Sequence, residues 1–237
     1  MKQLIRPDGR AVDALRPVSI ELGVQPSAAG SALIRWGGTH VLCAVTFEDK
    51  VPHHRIAGGG GWLTAEYSML PGSGDRRVGR ERNGVGGRTA EIQRLIGRSL
   101  RAAVDLGSTG PRTIYIDCDV LRADGGTRCA SITGATVALA VALKTVHQKL
   151  RTLVAAASVG VRQGHVIADL SFAEDVACDV DLNYVATPEG IVEVQGTAEG
   201  KTFSRDHLLR MVDFGGRACE QLFALQREVL AGAGVSV

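Results

Sequence analysis

The sequence predicts an α+β fold in which hairpin-built sheets are combined with three long helices. Three observations predict it. Short runs that alternate apolar and polar residues are joined by tight turns, the mark of hairpins. Three longer stretches place apolar or small residues at helical spacing. Strands and helices do not alternate one for one along the chain, so a doubly wound parallel sheet does not fit.

The elements follow in order. "RPVSIELGV" (16–24) alternates as a strand, and "SALIRWGGTHVLCAVTF" (31–47) reads as a hairpin turning at Gly37-Gly38. Residues 48–87 are expected to be irregular, with "GGGGW" at 58–62 and the arginine-rich "GSGDRRVGRERNGVGG" at 72–87, a mobile basic arm. "RTAEIQRLIGRSLRAAVDL" (88–106) predicts an amphipathic helix. Ile92, Leu95, Ile96, Ser99, Ala103 and Val104 share one side, and Arg94, Arg98 and Arg101 another. Gly110-Pro111 breaks the chain before a strand, "RTIYIDCDVL" (112–121), and a small-residue helix is expected from about Ser131 to Leu150. "LVAAASVGV" and "HVIADLSF" then pair across "RQGH", and "VDLNYVAT" pairs with "IVEVQGTA" across "PEG". A last helix runs from about Arg205 to Leu230, with Ser204 as its N-cap.

Composition sets limits on this scheme. The 237 residues are 45% hydrophobic and 22% charged, an ordinary globular balance that excludes a disordered chain. Aromatics are only 4% and glycines number 30, so the core must be aliphatic and tightly cornered. No apolar run approaches the roughly 20 residues of a membrane span, and "MKQLIRPDGRAVDALRP" does not resemble a signal peptide. The five cysteines (Cys43, Cys118, Cys129, Cys178, Cys219) are scattered and form no CxxC pair, which points to reduced thiols in a cytoplasm. Net charge is +2, but residues 76–101 hold eight arginines against two glutamates, and residues 166–200 hold eight acids and no base. A basic and an acidic segment suggest a polyanion ligand and a cation site. They also fit two solvated faces that pair with each other, and charge alone favours that second reading.

Three stretches carry chemistry. "ADGGTR" (123–128) lies between a strand and a helix, so the N–H groups of Gly125, Gly126 and Thr127 can converge on an anion. The Thr127 hydroxyl and Arg128 guanidinium would add contacts to a phosphate. Alone, this is equally a connecting turn. "GGRTAEIQ" (86–93) repeats the arrangement, placing Arg88 at a helix start where a cation is unfavourable unless an anion lies beside it. In "AEDVACDVDLN" (173–183), Asp175 and Asp181 share a face if the segment is extended, and oxygen ligands of this kind suit Mg²⁺ or Mn²⁺. Asp179 shares that face too, and an acidic strand edge explains all three equally well. Neither nucleotide-binding glycine loop is present, nor is GxSxG, HExxH or a histidine pattern, so no side-chain nucleophile is indicated.

Together, "GWLTAEYSMLP" (61–71), "GGRTAEIQRLIGRSLRAAVDL" (86–106), "DCDVLRADGGTRCASITGA" (117–135), "VAAASVGV" (154–161) and "VEVQGTAEG" (192–200) resemble bacterial ribonuclease PH. The resemblance implies a single domain over residues 1–237 of the ribosomal-protein-S5-domain-2-like type. It implies a cytoplasmic, phosphate-dependent 3′→5′ exoribonuclease that trims tRNA precursors and other RNA 3′ ends and works as a homohexamer, a trimer of dimers. The family's phosphate-binding positions fall on Arg88, Gly126, Thr127 and Arg128, its Mg²⁺-binding carboxylate pair on Asp175 and Asp181, and its tRNA-holding arm on Arg77 and Arg80. Arg128, Asp175 and Asp181 are then the expected catalytic residues, one of the two aspartates helping to protonate the leaving 3′-oxygen. Gly72 and Arg122 stand where the family usually carries an arginine and a glutamine, and the arm is about two residues short. A catalytically silent RNA-binding subunit of an exosome-type ring is the alternative. Retention of all five charged or hydroxyl-bearing phosphate and metal positions argues against it.

Overall fold

The computed structural model describes residues 4–56, 59–200 and 202–237; Gly58, first of the "GGGGW" run, lies outside them. Strands β1 (Val18–Leu22), β2 (Gly30–Trp36) and β3 (Thr39–Glu48) form an antiparallel meander that contains the expected β2–β3 hairpin, with Trp36 facing Thr39 across Gly37-Gly38. A one-turn helix α1 (His53–Ile56) follows, then β4 (Trp62–Met69), α2 (Gly87–Arg101), β5 (Thr113–Arg122) and α3 (Thr127–Thr145). The second half comprises β6 (Ala155–Arg162), β7 (His165–Ala168), a one-turn α4 (Phe172–Asp175), β8 (Val180–Thr187), β9 (Gly190–Ala198) and α5 (Arg205–Gly232). The strands build two sheets, ordered β1-β2-β3-β5-β4 and β7-β6-β8-β9.

The hairpins form where polar/apolar alternation and turn residues agree. Ser204 caps α5 by accepting from the His207 N–H at 3.1 Å. The irregular stretch predicted for residues 48–87 is corrected by β4. Leu63, Ala65 and Tyr67 are buried on alternate positions, and the strand pairs in parallel with β5, from Trp62↔Thr113 to Met69↔Val120. A parallel edge strand needs no hairpin turn, so no turn residue marks it.

Two helix boundaries also differ. α2 stops at Arg101, leaving Ala103 and Val104 buried in the turn beyond it. α3 begins four residues before Ser131 and ends at Thr145. It packs on β2, β3 and β6, so it runs between the two sheets and is apolar all round. Such a helix has no polar face to show its ends, whereas its Ala, Ser, Thr and Gly content lets both sheets approach. Its placement fixes the site, because the N-terminus of α3 opens where the two sheets meet. All five cysteines are buried and free, and no helix among the described residues is long and apolar enough to cross a membrane.

Candidate active site

The N-termini of α2 and α3 open onto a cavity of about 620 Å³ whose far wall is α4, β6 and β8. Its lining includes Arg88 from α2, Gly126, Thr127 and Arg128 from α3, Asp175 from α4, and Asp181 and Asn183 from β8. Neither helix start has a side-chain cap or an acid in its first turn. Two sets of free N–H groups, each with a partial positive charge, therefore meet an arginine pair in one concavity, which is chemistry for an anion.

The phosphate-loop candidate takes its shape from two glycines. Gly125 and Gly126 have φ of 75° and 66°, a left-handed conformation in which side-chain-bearing residues are strained. A Cβ on Gly125 would lie 2.5 Å from the Leu170 carbonyl oxygen, so the loop packs directly against the segment leading into α4. The Thr39 hydroxyl braces the loop, accepting from the Asp124 N–H at 2.9 Å and donating to the Gly125 carbonyl at 2.6 Å. Thr127 Oγ1 is 2.8 Å from the buried Tyr67 hydroxyl. Arg128 Nη1 donates to Gln195 Oε1 at 3.3 Å and lies 3.8 Å from Glu91 Oε1, which itself accepts from Gln195 Nε2 at 2.7 Å. Gln195 and Glu91 thus aim the guanidinium into the cavity without neutralising it fully.

On the opposite wall, burial pushes the Asp175 carboxyl above its ordinary range, against the pull of Arg128 and Arg88. The Asp181 carboxyl is pushed up by burial and then by Asp175, with Arg128 and Arg88 again opposing. Two desolvated carboxylates in one cavity, one of them raised further by the other, are relieved by a shared cation. An oxygen-only pair suits Mg²⁺, which takes one or two carboxylates and fills its remaining positions with water and phosphate oxygens. The donor chemistry therefore fits the expected metal, although no group of three or more His, Cys, Asp or Glu among the described residues forms a complete cage.

A shared strand face required the segment to be extended throughout, and it is not. Asp175 ends α4 while Asp181 lies on β8, so a turn rather than strand pleat brings them to one cavity. Asp179 is exposed and accepts from the Gln163 N–H at 3.2 Å, outside the cavity lining.

A buried ion network holds that turn. Arg6 grips Glu174 through Nε–Oε1 at 2.7 Å and Nη2–Oε2 at 2.8 Å, and also donates to the Asp169 carbonyl at 2.8 Å. Arg16 takes Asp169 through Nη2–Oδ1 at 2.6 Å and Nε–Oδ2 at 3.0 Å, and its Nη1 donates to the Asp124 carbonyl. Arg16 therefore ties the glycine loop to the α4 segment. Arg10 Nη2 also lies 3.4 Å from Glu174 Oε2, so removing Arg6 leaves that buried charge only partly compensated. Arg6→Ala is therefore expected to cost about 3 kcal/mol in urea denaturation at neutral pH, the lower end for breaking a buried pair. Burial alone would raise the Glu174 carboxyl, but Arg6 and Ser171 together bring it below its ordinary 4.5. Its stabilising contribution is therefore present above 4.5 and is lost as pH falls through the lower folded-state value. The Arg6→Ala and parent curves should converge in acid; an unchanged midpoint at neutral pH would remove the network from this role.

Of the residues expected from sequence, Arg88, Gly126, Thr127, Arg128, Asp175 and Asp181 come together in one cavity. Arg77 and Arg80 are exposed outside it, whereas their neighbour Arg76 lines it. The charge segments also pair in part, since Arg98 holds Glu193 at 2.6 Å. Ser158, Asn183, Met69 and Phe172 line the cavity without having been expected. Asn183 lies two residues beyond Asp181 on β8, so strand periodicity carried a signal for it. Ser158 faces Asn183 across the β6–β8 pairing and sits in an apolar run that carried none.

A model described as the 3′ exoribonuclease family, domain 1, matches residues 14–144, and the model for domain 2 of that family matches residues 152–218. The chain is 50% identical over 234 residues to Ribonuclease PH of Bdellovibrio bacteriovorus, covering 95% of this chain and 96% of that one. It is 50% identical over 239 residues to Ribonuclease PH of Corynebacterium diphtheriae, covering 97% and 99%. Among solved structures it is similar to rice (Oryza sativa) Rrp46, with a TM-score of 0.80 at 22% identity, covering 95% of this chain and all of that one. It is equally similar, at TM-score 0.80 and 22% identity, to the Archaeoglobus fulgidus exosome with RNA bound to the active site, covering 92% and 91%. At that identity the structural likeness concerns the fold, which is the α+β type expected.

Proposed function

The chain belongs to the ribonuclease PH family, and from that premise we infer how its cavity handles RNA. It is a phosphorolytic 3′→5′ exoribonuclease, a nucleotidyltransferase that uses inorganic phosphate as co-substrate. The observation that carries the site assignment is the convergence of Arg88, Gly126, Thr127, Arg128, Asp175 and Asp181 on one cavity.

The phosphate sits at the start of α3, against the N–H groups near Gly126, with Arg88 and Arg128 flanking it. With Tyr67 as donor in the Tyr67–Thr127 pair, the Thr127 proton stays available to the anion. A phosphate oxygen attacks the last phosphodiester and forms the new P–O bond. The bond to the preceding nucleotide's 3′-oxygen breaks, that oxygen takes up a proton with the help of one of Asp175 and Asp181, and a nucleoside 5′-diphosphate leaves. No side chain acts as nucleophile, so the protein's contribution is to position two anions and offset their repulsion. Asp175 and Asp181 hold a divalent cation, Mg²⁺ or Mn²⁺, which when bound supplies positive charge to the scissile group. Arg128, Asp175 and Asp181 are the catalytic residues of this reading.

The substrates proposed are tRNA precursors, held by the arm at about 72–87 through Arg77 and Arg80, which are exposed and so placed to meet phosphates. We read residues 1–237 as one domain, supported by an apolar core to which both sheets contribute. A homohexamer is supported by the apolar Ile191 and Val194, which stay exposed on the edge strand β9 of the single chain. The buried free thiols suit the cytoplasm.

The arm gives the test that separates substrate holding from chemistry. Arg77→Ala together with Arg80→Ala should weaken binding of a tRNA precursor. The slope of log affinity against log salt should fall by about 1 for each phosphate no longer neutralised. Turnover of an oligonucleotide too short to reach the arm should be nearly intact. An equal loss on both substrates would contradict this division.

A further inference from the structure

Phe172 is the one aromatic among the large hydrophobic side chains that the described residues leave exposed, at 54%, in a chain with only 4% aromatics. It is not adrift on the surface, because it lines the same cavity as Arg88, Arg128, Asp175 and Asp181. Its backbone is held closely. The Phe172 N–H donates to Asp124 Oδ1 at 3.3 Å, and its carbonyl accepts from the Val176 N–H at 3.1 Å. Ser171 and Glu174 close a capping box around it, and Arg6 fixes Glu174. A rigid backbone therefore presents a ring that the core does not use.

The position of the ring is informative. Phe172 precedes Asp175 by three residues on α4, so the two side chains leave the same side of one turn, about 5–6 Å apart at Cβ. On its other flank, the backbone of Phe172 abuts Gly125 of the phosphate loop, where an added Cβ would approach the Phe172 nitrogen to 2.7 Å. A flat apolar surface thus stands beside both the seat of the attacking phosphate and the carboxylate that holds the cation. In an RNA whose last phosphodiester lies between those two, the neighbouring group is the base of the terminal nucleotide.

We propose that Phe172 is the stacking platform for the base of the 3′-terminal nucleotide. This rests on the phosphorolytic reading of the cavity. Stacking accepts every base because each has a π-face, so the platform aligns the terminal nucleotide while leaving its sequence unread. Met69 and Ala123 add apolar surface to the same cavity.

The test is steady-state phosphorolysis of a short oligonucleotide that carries or lacks its 3′-terminal base, in the parent, Phe172→Ala and Phe172→Trp. Phe172→Ala should raise KM for the base-bearing oligonucleotide about tenfold, the lower half of the stacking range, leaving KM for phosphate unchanged. Phe172→Trp should restore the parent value. On the abasic end, parent and Phe172→Ala should be equal. An equal penalty on both ends, a changed KM for phosphate or a failure of tryptophan to rescue would each overturn the proposal. Phe172 is half exposed, so a thermal melt of Phe172→Ala should match the parent; a large drop would assign the ring to structure instead and overturn it as well. If the parent itself released monophosphates without phosphate, the phosphorolytic reading would fail, a result distinct from all of these.

Discussion

Arg128→Ala should reduce phosphorolysis by about 10²–10³-fold, the usual effect of removing one preorganised donor from a developing anion. The loss should fall largely on the phosphate dependence. Arg128 lies at an uncapped helix start, only 16% of its side chain is exposed, and Gln195 and Glu91 hold it from the side. It therefore meets the anion already oriented, with little entropy left to lose. Arg128→Lys should recover little, because a lysine offers a point charge and cannot reproduce both the Gln195 hydrogen bond and a forked contact to phosphate. The readout is nucleoside diphosphate release over a phosphate series. An unchanged KM for phosphate in Arg128→Ala would remove this arginine from the phosphate seat.

Asp181→Asn should give the second large effect, a fall of about 10²-fold or more at moderate Mg²⁺, with half-maximal activation moved to higher metal concentration. The substitution keeps volume and removes charge. In the parent, burial and Asp175 both raise the Asp181 carboxyl, so without a cation the pair is a cost to the fold. Asp181→Asn should therefore melt at the same temperature as the parent, or slightly higher, in the absence of divalent ions. The parent should gain stability as Mg²⁺ is added, by the linkage between binding and folding, and the variant should gain much less. Equal Mg²⁺ stabilisation of both proteins would place the cation elsewhere.

How far the fold was legible depends on whether information was local. The β2–β3, β6–β7 and β8–β9 hairpins are written in alternation and turn residues that lie next to one another in the chain. β4 is held by parallel pairing to a strand that begins more than forty positions later, and α3 owes its limits to packing between two sheets. Neither cause is visible in a short window. In the site, Arg128 and the two glycines were readable because a strand, a tight corner and a helix start are consecutive. Spacing on an extended segment left Asp175, Asp179 and Asp181 equal, and only the family resemblance separated Asp175 and Asp181 from Asp179. What joins them is the turn secured by Arg6 and Glu174, 168 residues apart, and by Arg16 and Asp169, 153 apart. Gln195 was inside a quoted motif, but its task of aiming Arg128 depends on a partner 67 residues distant. Phe172 ends an alternating run, "HVIADLSF", in which no local feature separates an exposed ring from a core one.

The nucleophile proposed for this cavity is inorganic phosphate. Phosphorolysis in ¹⁸O-labelled phosphate tests it most directly, with the released nucleotides resolved by mass. Nucleoside 5′-diphosphates carrying the label in their terminal phosphoryl group, formed only when phosphate is present, are the predicted result. Nucleoside monophosphates that carry solvent oxygen and appear without phosphate would contradict it.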